Sequence, residues 1–506
     1  MRRRILWSGI LISAAAGLLF LIGLVVWERD RGKHRLRGIT DRLRESGVTL
    51  DNAKFLTQDV PDAVNGAVPL LEIAEELRAF VLPADLSPPP SMKITAPGQA
   101  TSFVTRAGWP ASKGDLQSWD RLGSVAEEAR GLMSQLASIA SRPRFASKFD
   151  LRQGLADMEL KTLSPMPAVI RVARTTALLE LHEGHQQAAA DVVTAFLNFY
   201  CNKAEDPLLI AQLVRWSQAR VALTLTWELL QGVQLSDDTW QSLQRAWERC
   251  RFLEDYERAC RSEIAGIADL FARLRASATY RRHVLDNFEK IEADVGATWN
   301  PPWRGWMLRR VHLPAWRLLW ADQDFAESLD YAAIEHRLAR LATTNSWDSV
   351  HAEAARLGHS AQKAFAFALL STGDPERRLY DRFRYLFSSP PAAFEGSRIL
   401  RAFEAQTEAT LAITALALQR FRRANDHFPH ALSDLVPRFL SSIPTDPMDG
   451  GFLKYRMRSE MAFLLYSSGA NGTDEGGDGE WTDEAAIVRS IWSGRDALWP
   501  AALDDK

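Results

Sequence analysis

The residues best suited to chemistry form an acidic, glycine-rich stretch near residue 475. Its carboxylates come from Asp474, Glu475, Asp478, Asp483 and Glu484. Ca²⁺ binds about six to eight oxygens, and glycine allows backbone carbonyls to join carboxylates around one ion. The stretch therefore predicts a calcium-binding loop. The alternative is a solvated acidic turn, because Gly and Asp are common turn residues.

A second group of metal-ligating residue types is His182-Glu183-Gly184-His185. The zinc motif HExxH places its histidines four residues apart on one helical face, whereas these are three apart with a glycine between them. Glycine at such a position ends helices. The pattern therefore predicts a turn between two helices and does not favour zinc.

Sequence motifs for catalysis and nucleotide binding are missing. The chain has no GxSxG, no P-loop and no GxGxxG followed by a strand–helix–strand pattern. A formal net charge of −2 over 506 residues gives no electrostatic basis for nucleic-acid binding. We therefore predict a non-enzymatic protein without a small-molecule substrate or nucleic-acid partner. An unrecognised hydrolase is the least favoured alternative.

The chain begins with a candidate membrane anchor. After Arg2, Arg3 and Arg4, residues 5–27 are uncharged, and as a helix they would span about 34 Å, enough to cross a hydrocarbon core of about 30 Å. We predict an uncleaved anchor over residues 1–27, with the N-terminus in the cytoplasm and the bulk of the chain outside it. A cleaved signal peptide is the alternative, because residues 13–17 are small.

The composition, 46% hydrophobic and 25% charged, is typical of folded proteins. Residues 28–99 predict a juxtamembrane segment and a proline-rich linker or surface wrap. Residues 100–395 show apolar residues at helical spacing and predict an irregular α-helical repeat or bundle, TPR-like in part. Only three cysteines, Cys201, Cys250 and Cys260, exclude a disulfide framework, and we expect buried thiols.

One part of this helical region combines tryptophan with arginine. The tryptophans are Trp299, Trp303, Trp306, Trp316 and Trp320, and the arginines are Arg304, Arg309, Arg310 and Arg317. The mixture is typical of a membrane-interfacial element. The alternative is ordinary helix packing, in which arginine lies over tryptophan rings.

Residues 396–497 differ in style and predict an α+β domain, followed by a tail at residues 498–506. A long helix is expected from about Ser397 to Arg423, then one helical turn at 431–436. A hairpin of residues 452–458 and 461–467 follows, with a last strand at 486–491. The domain is therefore expected to combine a long helix with a small antiparallel sheet, in a chain that is otherwise mainly α.

The order of residues in this domain carries a resemblance. The residues concerned are Phe421, Asn425, Phe428, Pro429, Leu432 and Leu435, then Pro444, Asp446, Pro447, Asp449, Gly450 and Tyr455, and finally Ser468, Gly469, Asn471, Gly472 and Asp474. Together they resemble the periplasmic domain of the major, G-type pseudopilins of type II secretion systems. The whole chain resembles large bacterial membrane-anchored helical proteins that carry such a domain, a resemblance that implies no activity.

The resemblance implies a place in the bacterial inner membrane, envelope proteins as partners, and a type II secretion or pilus-like system as the context. It also implies calcium, with Asp474 and Asp483 as ligands, and spacing adds Asp478. Ala485 stands where the family has a second acidic residue. The anchor lacks the family's glutamate and lies far upstream of the domain, so we do not expect polymerisation as a pilus subunit. The alternative is an envelope scaffold without a secretion role.

Overall fold

The chain is mainly helical, as the sequence predicts. The computed structural model describes residues 2–56, 60–110, 116–147, 149–150, 154, 158–202, 206–232, 234–294, 302–357, 384–387, 398–482 and 489–503. It is 62% helix and 9% strand, with the strands in small sheets, which confirms the mainly α class.

The first helix, α1 (Arg2–Glu45), continues well past residue 27. Its second half packs along α14 (Ala321–Ala342), where Gln323 Nε2 donates to the Glu28 carbonyl at 2.8 Å and Arg35 pairs with Glu327 at 2.7 Å. Ile39 of α1 is buried in the same contact. Among the described residues, no helix is both long and apolar enough to cross a membrane.

Short elements follow α1. They are α2 (Ala53–Leu56), a 3₁₀ turn (Asp62–Val64), α3 (Ala67–Glu72), α4 (Ala74–Ala79), β1 (Lys93–Ala96), β2 (Gln99–Thr101), β3 (Gly108–Pro110), β4 (Leu116–Ser118) and a 3₁₀ turn (Trp119–Leu122). β1 pairs antiparallel with β2, and β3 with β4. Leu70, Leu77 and Phe80 are completely buried in the main core. These residues belong to the packed body and are not a free linker.

The main body is built from long helices: α5 (Gly123–Ala140), α6 (Met166–His182), α7 (Gln186–Asn202), α8 (Leu209–Leu229), α9 (Asp237–Glu248) and α10 (Phe252–Ala276). α6 and α7 form the predicted hairpin, and Gly184 between them has φ +81°, a conformation that L side chains rarely adopt. Ser236 caps α9, because its side chain accepts from the Thr239 N–H.

A buried arginine joins three of these helices. Arg215 of α8 donates from Nη1 to Asp255 Oδ2 of α10 at 2.9 Å, and from Nε to the Tyr200 carbonyl of α7 at 3.0 Å. Arg215 is completely buried and Asp255 nearly so. A buried charge of this kind stays stable only while its partners remain in place.

Two of the three cysteines form a disulfide, which corrects the expectation of three thiols. Cys201 at the end of α7 pairs with Cys250, and their Cα atoms lie 5.6 Å apart. The pairing is possible because Cys250 lies in the break between α9 and α10, whereas Cys260 is a buried free thiol inside α10.

A second helical layer packs against α1 and α10. It contains α11 (Ala278–Asp294), α12 (Pro302–Met307), a π-helical turn (Leu308–His312), α13 (Leu313–Leu319), α14 and α15 (Trp347–Arg356). A separate core cluster beneath it includes Phe271, Trp316 and Phe325, whereas the end of α14 and α15 contribute Leu338 and Trp347 to the main core. This layer connects α1 to the main body.

The C-terminal region has the predicted long helix and antiparallel hairpin. Helix α16 (Arg398–Asn425) is followed by a 3₁₀ turn (Leu432–Leu435), β5 (Lys454–Ser459), β6 (Ala462–Ser467), a 3₁₀ turn (Ile491–Ser493), β7 (Ala497–Leu498) and β8 (Ala501–Ala502). β6 pairs antiparallel with β5 and β7. The last strand of this sheet is therefore at 497–498, because the described part of the predicted strand, residues 489–491, leads into a 3₁₀ turn.

Helix α16 is part of the body and not only of the C-terminal region. Arg420 pairs with Asp237 of α9 at 2.8 Å, and Arg398 pairs with Glu335 of α14 at 2.6 Å. The two ends of α16 are thus held by different helices. The predicted tail contributes as well, because β8 pairs in parallel with β2, with Gln99 opposite Ala501.

Candidate functional site

The C-terminal loops surround two buried aspartates. The first is Asp446, between the prolines that bracket residues 444–447. Its carboxylate accepts from Met448 N (3.0 Å), Ser467 Oγ (2.7 Å), Ser468 N (3.0 Å) and Lys454 Nζ (2.8 Å). Lys454 Nζ also pairs with Asp449. A lysine ammonium of this chain therefore provides the positive charge beside Asp446.

The charges of this cluster stabilise one another. Burial alone would lower the pKa of Lys454, but its bonds to Asp446 and Asp449 outweigh burial, and the pKa lies above its ordinary value. Burial acts in the opposite direction on Asp449, yet the hydrogen bond from Lys454 holds the pKa of that carboxyl below its ordinary value. Lys454 and Asp449 are therefore charged at neutral pH, and the cluster fastens the hairpin to the preceding loop.

The second buried aspartate is Asp496, which the sequence analysis missed. Its carboxylate accepts from three backbone N–H groups of the acidic loop, those of Glu475 (3.4 Å), Gly477 (2.8 Å) and Asp478 (3.0 Å). Burial raises the pKa of Asp496 above its ordinary value, although the three N–H groups act against this. The loop backbone thus forms an anion-binding concavity filled by a side chain of this chain.

The predicted calcium ligands have other partners in the described residues. Asp474 Oδ1 accepts from the Tyr466 hydroxyl at 3.0 Å and from Gly476 N at 2.8 Å. Burial, and then the bond to Asp474, raises the pKa of Tyr466 to about 12. Asp478 accepts from Glu480 N at 2.9 Å and pairs with Arg495 at 3.3 Å. Asp483 lies outside the described residues.

The described loop residues fit a calcium ion only in part. Calcium needs several oxygens that converge on one point, whereas N–H groups of this loop converge on Asp496. Among the described residues, one group of three metal-ligating side chains lies with its ligand atoms within 4.8 Å of one another. None of the three belongs to this loop. Asp474 and Asp478 therefore need several further oxygen ligands from elsewhere in the chain to hold a calcium ion.

The cluster that does form lies at the α6–α7 turn and contains Glu180, Glu183 and His185. His185 Nδ1 lies 2.9 Å from Glu180 Oε2. Arg130 of α5 pairs with both glutamates, at 2.5 Å for Glu180. An arginine therefore balances the negative charge of this cluster and ties α5 to the hairpin.

The other histidine of the HEGH sequence, His182, has a different environment. Its Nδ1 lies 2.7 Å from the Val104 carbonyl, and its ring stacks on Trp119 with 4.4 Å between the ring centroids. The two histidines thus contact different parts of the chain. This arrangement agrees with the prediction of a turn between two helices.

One buried carboxyl has a strongly shifted pKa. Glu228 of α8 is buried beneath the β1–β2 segment and accepts from Ser102 Oγ at 2.5 Å. Burial raises its pKa to about 7, against the effect of the bonds from Ser102 and Met92 and the charge of Arg174. Such a group suits proton transfer in an open site. Glu228 instead ties α8 to the segment that covers it, which gives it a structural role.

No family model, curated protein or solved structure matches this chain.

Proposed function

We propose that this chain is a non-enzymatic, single-pass protein of the bacterial inner membrane whose body binds other envelope proteins. The observation that carries the proposal is the form of α1. Residues 28–45 of this helix are packed on α14, whereas apolar side chains between residues 15 and 27, such as Leu19, Phe20 and Val26, are exposed. The helix is therefore half inside the body and half outside it.

The exposed half of α1 is apolar on several faces. Four neighbouring side chains are at least half exposed to solvent: those of Leu18, Leu19, Phe20 and Ile22. A soluble helix normally has one apolar stripe, and a helix that is apolar all round is typical of a protein core or a membrane span. A bilayer removes such a surface from water, and the arginines at residues 2–4 favour a cytoplasmic N-terminus.

The disulfide supports an extracytoplasmic body. Cys201 and Cys250 are paired, although they lie on separate helical segments. Disulfides persist in the periplasm and are rare in the cytosol, where thiols are kept reduced. The arginines that precede the anchor favour the same orientation, whereas the basic residues that follow it, Arg29, Arg31, Lys33, Arg35 and Arg37, act against it.

The position of α16 supports a scaffold or binding role and not polymerisation. Phe403 and Leu411 are completely buried, and ion pairs hold both ends of the helix to α9 and α14. A helix covered in this way by its own chain cannot pack in a pilus core. The pseudopilin-like domain therefore presents its loops and hairpin, and not α16, to partners from a secretion or pilus-like system.

We also propose Ca²⁺ as the ligand of the acidic loop, with Asp474, Asp478 and Asp483 as its protein ligands. The proposal is supported by the resemblance and by the carboxylates in a loop whose glycines, such as Gly476 at φ +78°, permit tight turns. Bound calcium would hold the loop against the hairpin.

Labelling in cells tests the topology. Leu116 and Met461 are exposed, and they lie in the N-terminal sheet region and the C-terminal hairpin. We expect cysteines introduced at both positions to react with a membrane-impermeant maleimide in spheroplasts with intact inner membranes. The native cysteines are buried, so the wild-type protein is the background control. Labelling that requires disruption of the inner membrane would contradict the proposed orientation.

Crosslinking in intact cells, followed by purification of the full-length protein, tests the choice of partner. Recovery of secretion or pilus-like components would support a secretion role. Recovery of other envelope proteins alone would favour the scaffold without such a role. Deletion of the loop residues 470–480 provides a control, because it removes the proposed binding surface and leaves α16 and its ion pairs in the chain.

A further inference from the structure

The tryptophan- and arginine-containing segment exposes an apolar face. In the helical run from α12 through α13, Trp306, Met307, Val311 and Leu318 are exposed, with Trp306 61% and Leu318 51% accessible. Met307, Val311 and Leu318 are four and seven residues apart, and Trp306 precedes Met307 directly, which places all four on one side of the helix. Leu308, Leu313 and Trp316 are buried on the other side. One face of the run therefore packs against the protein core, and a second apolar face is left uncovered.

Two arginines lie on the uncovered face. Arg310 and Arg317 are exposed. Neither has an ion-pair partner among the described residues, whereas Arg309 on the packed side pairs with Asp286 at 2.7 Å. Unpaired arginines beside exposed tryptophan and leucine suit the boundary of an anionic bilayer, where apolar groups insert and guanidinium groups meet phosphates.

The position of the segment agrees with this environment. α13 ends at Leu319, and one residue later α14 begins. Gln323 in the first turn of α14 bonds to Glu28, immediately after the exposed apolar stretch of α1. Arg35 and Arg42 pair with Glu327 and Asp330 further along, so the two helices run in the same direction. The end of α13 therefore lies at the level where α1 leaves the proposed membrane span.

We propose that the face formed by Trp306, Met307, Arg310, Val311, Arg317 and Leu318 lies in the headgroup region of the bilayer and contacts anionic lipids. This inference rests on the proposed anchor, because α1 sets the height of the segment above the membrane. It gives the body a second membrane contact. That contact fixes the orientation of the body relative to the membrane. With the single helix α1 alone, the body would be free to rotate about the axis of that helix.

Nitroxide labels on the full-length protein in lipid vesicles test the inference. Cysteines are introduced singly at Val311 and Leu318, at Leu19 in the anchor, and at Leu116 as an exposed apolar control on β4. Vesicles of phosphatidylcholine with phosphatidylglycerol are compared with phosphatidylcholine alone. We expect the labels at residues 311 and 318 to be accessible to oxygen and protected from a water-soluble nickel chelate, as at residue 19, whereas residue 116 is accessible to the chelate.

The outcomes separate the two proposals. Lipid contact at residue 19 together with chelate access at residues 311 and 318 would overturn the surface contact alone. Chelate access at residue 19 would overturn the anchor itself. Replacing both arginines, Arg310→Gln with Arg317→Gln, should shift the label at residue 318 toward water in the anionic vesicles. An unchanged label would overturn the assignment of these arginines to anionic headgroups.

Discussion

Replacement of Gly32 by alanine tests how closely α1 packs against α14. A Cβ atom at residue 32 would lie 2.8 Å from Gln323 Cγ, 3.1 Å from Asp322 Cβ and 3.2 Å from the Gln323 backbone nitrogen. Contacts this short force the two helices apart, because packed interiors have no spare volume. Gly38 lies on the same helix, but a Cβ there would meet nothing within 4 Å. It is the matched control.

The two substitutions should change stability in different directions. Alanine is favoured over glycine in a helix interior by about 0.8–1.0 kcal/mol, so Gly38→Ala should stabilise by about that amount. At residue 32 the same gain is opposed by overpacking, which typically costs about 1–3 kcal/mol. We expect Gly32→Ala to be neutral or destabilising, and to lie about 1–3 kcal/mol below Gly38→Ala.

Guanidinium unfolding of the full-length protein in nonionic micelles, followed by circular dichroism, measures this difference. Leucine in place of alanine should widen the gap, because only residue 32 faces α14. Equal stabilisation by alanine at both positions would refute the close packing of the two helices. It would also remove the rigid connection between anchor and body on which the proposed function depends.

Four further predictions concern the body and its loops. Arg215→Met should destabilise by about 3–5 kcal/mol in denaturant titrations, because Asp255 loses its buried partner and keeps the partly exposed Arg258, and most of the loss should be recovered in the double variant with Asp255→Leu. Thiol titration of the denatured, unreduced protein should find one reactive cysteine, Cys260, and three reactive thiols would contradict both the disulfide and the oxidising compartment. Because burial raises the pKa of Glu228 from 4.5 to about 7, stability should fall as pH rises from about 4.5 to 7, by up to about 3 kcal/mol; Glu228→Gln should flatten this dependence, and an unaltered slope would assign it to other groups. Calcium at about 100 times its dissociation constant should stabilise the folded protein by about 2.7 kcal/mol, which is seen as a raised melting temperature. Asp474→Ala should reduce this rise in melting temperature. A wild-type melting temperature that calcium does not change would contradict calcium binding.

The sequence predicts those elements whose signals are local. The turn at Gly184 and the long helix α16 each depend on residues within a few positions, and both are found as predicted. The β5–β6 hairpin is local for the same reason. Short-range hydrogen bonds and periodicity determine such elements before the chain packs.

The features that the sequence did not reveal depend on distant contacts. Asp496 accepts hydrogen bonds from the backbone of the acidic loop because it lies directly before β7, which packs beside that loop. In the sequence it is marked only by its position before the apolar residues 497–499. The partner of Cys201 depends on a break between α9 and α10. The spacing of apolar residues along the sequence does not predict such pairings, because they depend on which helices meet in the core.

The parallel pairing of β2 with β8 has a consequence for biosynthesis. Gln99 leaves the ribosome long before its strand neighbour, Ala501. Trp227 has the same dependence, since its indole N–H donates to the Pro500 carbonyl at 2.9 Å. The free edge of β2 therefore remains without this partner until residue 501 has been made. During that interval the nascent protein exposes an open strand edge, the kind of surface that chaperones cover.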